Sequence, residues 1–123
     1  MFNQVKIYRY GPFNVEEEKP RRGGGSLPDK IKVGGLTYNV NLVEEPMETG
    51  EEPAAVFYHK QEIRIKDNLP RGMQELCLMH ELTHLIFYHI GYYPDDDEEV
   101  IDRLSKALYQ VLVDNNLTWG NNK

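Results

Sequence analysis

The chain has 123 residues, enough for one domain and too few for two independent cores. Its hydrophobic share of 40% lies well above that of disordered chains, and a net charge of −6, from 20 acids against 14 bases, argues against wholesale nucleic-acid binding. A single cysteine rules out an intrachain disulfide, and the longest apolar run is interrupted by His and Glu, which disfavours a membrane span.

In chain order, residues 1–15 form an N-terminal arm in which Val5, Ile7, Tyr8 and Tyr10 alternate weakly. The arm reads either as a strand added to a sheet edge or as a segment without order. Met1 is followed by FNQVKIYRYGPF, which lacks the apolar core of a signal peptide, so the expected location is the cytoplasm. Residues 16–29, inside EEEKPRRGGGSLPDK, have the charges, prolines and consecutive glycines of a linker. The acidic runs NVEEEK and VEEPMETGEEP read as solvated loops.

The body spans residues 30–117. In KIKVGGLTYNVNLVE, Ile31 and Val33 precede Gly34-Gly35, and Leu36, Tyr38, Val40 and Leu42 alternate after it, which predicts a hairpin. AAVFYHKQEIRIKD predicts a second strand region broken by a turn near Lys60, with Ile63 and Ile65 facing one way. NLPRG then opens a helix, with Asn68 as N-cap and Pro70 in the first turn. It runs to about Ile90, where Gly91 can take the left-handed conformation. YYPDDD makes a turn, Asp95 or Asp96 caps a last helix through about Asp114, and residues 118–123 are a tail. Together these elements predict an α+β fold: a small antiparallel or mixed sheet packed on one helix, with a second, C-terminal helix antiparallel to the first.

The first helix carries the informative residues, in ELCLMHELTHLIFYHIG. At about 100° per residue, His80 and His84 lie about 40° apart on one face, and Glu81 sits about 100° from His80 at the edge of that stripe. Leu76, Leu78, Met79, Leu82, Leu85, Ile86 and Phe87 occupy nearly all the other directions, and a helix apolar all round is a buried one. Burying ionisable groups without partners costs several kcal/mol, roughly, against a total stability of about 5–15 kcal/mol. A metal removes that difficulty. The pattern is the His-Glu-x-x-His zinc site, here HELTH, in which His80 and His84 are ligands and Glu81 is the general base.

A catalytic zinc needs a third protein ligand. The extended motif with a further histidine is absent, because Phe87 and Ile90 stand at its glycine and histidine positions. His89 lies about 140° around the helix from His84 and suits the helix C-terminus instead, while His59 sits on a strand, more as a rim residue. Cys77, one turn before His80, reads as a small buried hydrophobe. In the last helix, Glu98 and Asp102 share a face with Ser105 and Tyr109, opposite Val100, Ile101, Leu104, Leu108, Val111 and Leu112. His84 is about 9 Å from the end of its helix and Glu98 about 5 Å into the next, so Asp102 lies at the more natural height and both carboxylates stay open as third ligand.

HELTH followed by EEVIDRLSKALYQVL resembles the ImmA/IrrE-type zincin metallopeptidases common in phages and mobile elements. The resemblance covers about residues 28–115 and implies a minimal zincin-like domain with one zinc ion. By position, Glu98 corresponds to the metal-binding glutamate of that family, Asp102 to the polar residue four later, and Leu104 and Ser105 to a large-small pair. The strand QEIRI resembles the family's edge strand, which pairs with extended substrate. Two departures stand out: the connection between His84 and Glu98 is short, and Asp102 replaces the usual asparagine. Gluzincins of other branches do carry an aspartate there, which accepts a hydrogen bond from a ligand histidine, a role that suits Asp102 physically. The resemblance implies peptide-bond hydrolysis in a polypeptide, such as a phage repressor or another regulatory protein. Tyr88, Tyr92, Tyr93 and His59 are the candidate oxyanion donors. The alternative reading is a zincin-fold module that binds a partner without cleaving it; the intact Glu81 argues against it.

Overall fold

A computed structural model describes residues 27–93 and 97–117. The arm at 1–15, linker residues 16–26, the predicted caps Asp95 and Asp96, and the tail at 118–123 lie outside the described residues. The elements are β1 (Lys30–Val33), β2 (Leu36–Val43), β3 (Ala54–Phe57), β4 (Glu62–Lys66), α1 (Arg71–Ile90) and α2 (Asp97–Asp114). The fold is α+β, as the sequence predicts.

β1 and β2 form the expected antiparallel hairpin, with Ile31 opposite Tyr38 and Val33 opposite Leu36. Both turn residues have positive φ, 60° at Gly34 and 85° at Gly35, the requirement of a tight two-residue turn. Gly34 is needed twice over, since a Cβ there would stand 2.5 Å from the His89 ring. β3 and β4 form a second antiparallel pair, and β4 joins β2 in parallel, with Val40 opposite Ile63 and Leu42 opposite Ile65. The four-stranded order is β1-β2-β4-β3.

That order corrects one expectation. QEIRI is an interior strand, flanked by β2 and β3, and the edges among the described strands are β1 and β3. The reason is its composition: Ile63 and Ile65 are both fully buried, which an interior position secures. One face of the sheet carries Val33, Tyr38, Val40, Ala54, Ile63 and Ile65 into the core. Leu36 and Leu42, at the ends of the same alternation, are exposed. Leu27, assigned to the linker, already packs against the core, and the Asp29 carbonyl accepts from the Val40 amide.

α1 lies on the sheet, and α2 packs on α1 and on no strand among the described residues. α1 is therefore a middle layer, which explains why Leu76, Leu78 and Leu85 on different sides of it are all buried. Its start differs from the prediction. The N-cap is Pro70, with no side-chain cap, and Asn68 stands two residues too early to serve. The Gln74 side chain holds the junction instead, donating to the carbonyls of Lys66 and Asp67. At the other end Gly91 takes φ 73° as expected, with the Tyr92 amide on the Phe87 carbonyl and the Gly91 amide on that of Tyr88. Among the described residues, no helix is long and apolar enough to cross a membrane.

Candidate metal centre

Because α1 is sandwiched, its polar stripe has to face either the sheet or α2. It faces α2. The His80 side chain is wholly buried, and its ring lies 5.1 Å, centre to centre, from that of His84, edge to face. The four-residue spacing puts the two rings one turn apart, so both imidazoles reach the same space between the helices.

α2 brings the third group. Glu98 Oε2 lies 3.1 Å from His84 Nε2, and Glu98 Oε1 lies 3.6 Å from His80 Nε2. His80, His84 and Glu98 each offer one donor atom, all within 4.8 Å of one another, and together they could hold a metal ion. The separations suit it. Ligand atoms at about 2.0–2.2 Å from a tetrahedral zinc lie about 3.3 Å apart. Two imidazoles and a carboxylate are also a donor set that zinc accepts. The site has a closed and an open side: His80 is shielded, while the side chains of His84 and Glu98 are 15% and 33% exposed.

Asp102 sits elsewhere. Its Oδ1 lies 3.8 Å from Nδ1 of His80, the ring nitrogen turned away from Glu98, and Lys106 Nζ holds its Oδ2 at 3.1 Å. The expected difficulty of height along the helices is met by the way α2 starts. Glu98, in its first turn, already lies beside His84, and Asp102 one turn later lies beside His80. Glu81, one residue beyond His80, is buried at 2% exposure.

The remaining candidates have their described contacts in other places. Tyr88 packs on Tyr58, with ring centres 4.4 Å apart, and on His89; Tyr92 packs on Phe87. Tyr93 and His59 are exposed. His89 faces away from the cluster as expected, and Tyr38 Oη and His89 Nε2 are hydrogen-bonded at 3.0 Å. Burial, and after it the neighbouring Tyr88, raise the Tyr38 hydroxyl above the ordinary tyrosine range. Cys77 is buried in the apolar core, away from the cluster's donor atoms.

Two polar groups near the cluster escape a motif-based reading. Glu75, in the same apolar stretch as the histidines, is fully buried and accepts hydrogen bonds from Tyr109 and Arg71. Lys106 pairs with Asp102. In each case the available signal was an opposite charge four residues away on one helix face, a pattern more common on solvated helices.

No protein-family model, curated protein or solved structure matches the chain.

Proposed function

We propose that this chain is a zinc-dependent metallopeptidase of zincin-like type. His80, His84 and Glu98 hold the ion, and Glu81 acts as the general base in hydrolysis of a peptide bond. The observation that carries the proposal is the clustering of the three donor atoms within 4.8 Å on the partly open side of a buried helix, with Glu81 adjacent in sequence to the most buried of them. A metal centre with three protein ligands and one accessible side is the catalytic pattern, whereas closed structural sites use four.

A bound zinc ion supplies a Lewis acid that polarises a carbonyl and acidifies water. The residues of the chain do the rest. The Glu81 carboxylate accepts the proton of the attacking water and returns it to the leaving nitrogen. Asp102 faces Nδ1 of His80, which favours the proton on that nitrogen and leaves the lone pair of Nε2 directed at the cluster. Lys106 in turn keeps the Asp102 carboxylate in place. A polypeptide substrate suits the open side of the site and the edge strand β3, which pairs with β4 alone among the described strands.

Metal analysis of the purified protein, together with the Glu81→Gln variant, tests the proposal. Stoichiometric zinc that is lost in His80→Ala, and peptide-library cleavage by wild type that is absent in Glu81→Gln, are the expected results. Absence of zinc, with His80→Ala unchanged in stability, removes the metal centre. Zinc binding with no difference between wild type and Glu81→Gln favours the non-cleaving binding module.

A further inference from the structure

α2 packs on α1 and, among the described residues, on no strand, so the height of Glu98 depends on the seam between two helices. Along that seam the contacts follow one antiparallel register: Glu98 beside His84, Asp102 beside His80, and Tyr109 on Glu75. The last of these lies outside the metal cluster and is fully buried on both sides. Tyr109 Oη donates to Glu75 Oε1 at 2.7 Å, while Arg71 Nε donates to Oε2 at 3.0 Å.

Apolar seam contacts are non-directional and tolerate sliding, and a slip of one residue displaces a side chain by about 1.5 Å and turns it by about 100°. A hydrogen bond to a buried carboxylate tolerates neither change, because breaking it leaves a desolvated oxygen one donor short. A well-packed apolar pair at the same place would hold the helices together at least as strongly, so adhesion does not account for the polar one. Register does. We infer that Tyr109 and Glu75 are positioning residues, which lock α2 on α1 and so set Glu98 at the height of His80 and His84, about 16 Å away along α2. This inference rests on the reading of His80, His84 and Glu98 as a metal site.

The test uses the full chain, with zinc affinity from chelator competition, the visible spectrum of the cobalt(II)-loaded protein, and the melting temperature without metal. Tyr109→Phe removes only the hydroxyl, Glu75→Gln retains an oxygen that can accept from it, and Glu75→Leu/Tyr109→Phe makes the contact apolar. The double variant is expected to melt at or above the wild-type temperature, yet to bind zinc about tenfold more weakly with an altered cobalt spectrum, as when other groups that orient a ligand are removed. Tyr109→Phe should show the same spectral change, and Glu75→Gln should lie nearer to wild type. Wild-type affinity and spectrum in both Tyr109→Phe and the double variant overturn the inference. So does unfolding of the double variant, because the pair would then hold the fold rather than the register. If wild type binds neither ion, and His84→Ala matches it, the metal reading fails and the inference with it.

Discussion

The two helices solve opposite problems with similar materials. α1 is apolar nearly all round and keeps a narrow polar stripe, with His80 and Glu81 buried and His84 partly so. α2 turns its polar face inward, with Ser105 and Tyr109 fully buried and Glu98 and Asp102 partly so, while Val100, Leu104, Leu108 and Val111 remain exposed. Hydropathy alone would rotate α2 by roughly a third of a turn, to put that apolar stripe on α1. The observed orientation shows that α2 is placed by the polar partners α1 offers it: two imidazoles and the Glu75 carboxylate. α1 belongs to the core and carries the two histidines; α2 brings Glu98 to them and joins the core through Tyr109, Leu112 and Val113.

Substitutions in the two helices should therefore differ sharply. Leu78→Ala, at a fully buried position of α1, is expected to cost about 2–5 kcal/mol of unfolding free energy in denaturant titration. A cost near zero would mean that α1 is not the middle layer. Asp102→Ala should weaken zinc binding by about ten- to a hundredfold without abolishing it, whereas His84→Ala should abolish it. Equal losses in chelator competition would make Asp102 a ligand in its own right. Gly91→Ala places a side chain at φ 73° and should cost about 1 kcal/mol, visible as a lower melting temperature.

On the solvent face of the sheet, Arg64, and after it Asn41, hold the Glu62 carboxyl below the ordinary carboxylate range, against an opposing effect of burial. Its folded value is thus lowered. The stabilisation it contributes is present above the unfolded carboxylate pKa and disappears as the pH falls through the folded one. Glu62→Gln should cost less than about 1 kcal/mol at neutral pH, and the two unfolding curves should converge in acid. The smallest effect belongs to the exposed stripe of α2: Leu104→Asn should change stability by about 0.5 kcal/mol or less. A large loss there would show that something covers the stripe.

Much of this was readable along the chain. Gly34-Gly35 fixes a hairpin because two consecutive positive φ angles leave few other choices, and Gly91 ends α1 for the same reason. His80 and His84 are legible because four residues are one helical turn, whatever the rest of the chain does. Asn68 misleads, because its capping preference is local while the junction is set by Pro70 and by Gln74 reaching back to the end of β4. The edge position that the resemblance implies for QEIRI fails for a different reason, since which strand pairs beside it is not a local property.

What the sequence by itself determined is therefore the set of elements, the burial of α1 as far as Leu85 and the two histidines one turn apart, all consequences of short-range periodicity and backbone sterics; beyond Leu85 the helix emerges, with Ile86, Tyr88 and Ile90 exposed. Only the tertiary structure decided that β4 runs inside the sheet, parallel to β2, and that α2 presents its polar face to α1. It also separated the two carboxylates, setting Glu98 between the histidines and Asp102 behind His80. Glu98 and Asp102 lie on one helix face a turn apart, and height counted along the two helices favours Asp102, the one that ends up behind His80. The choice depends on how far one helix has slid along the other, a distance set by contacts such as Tyr109 with Glu75, 34 residues apart in the chain.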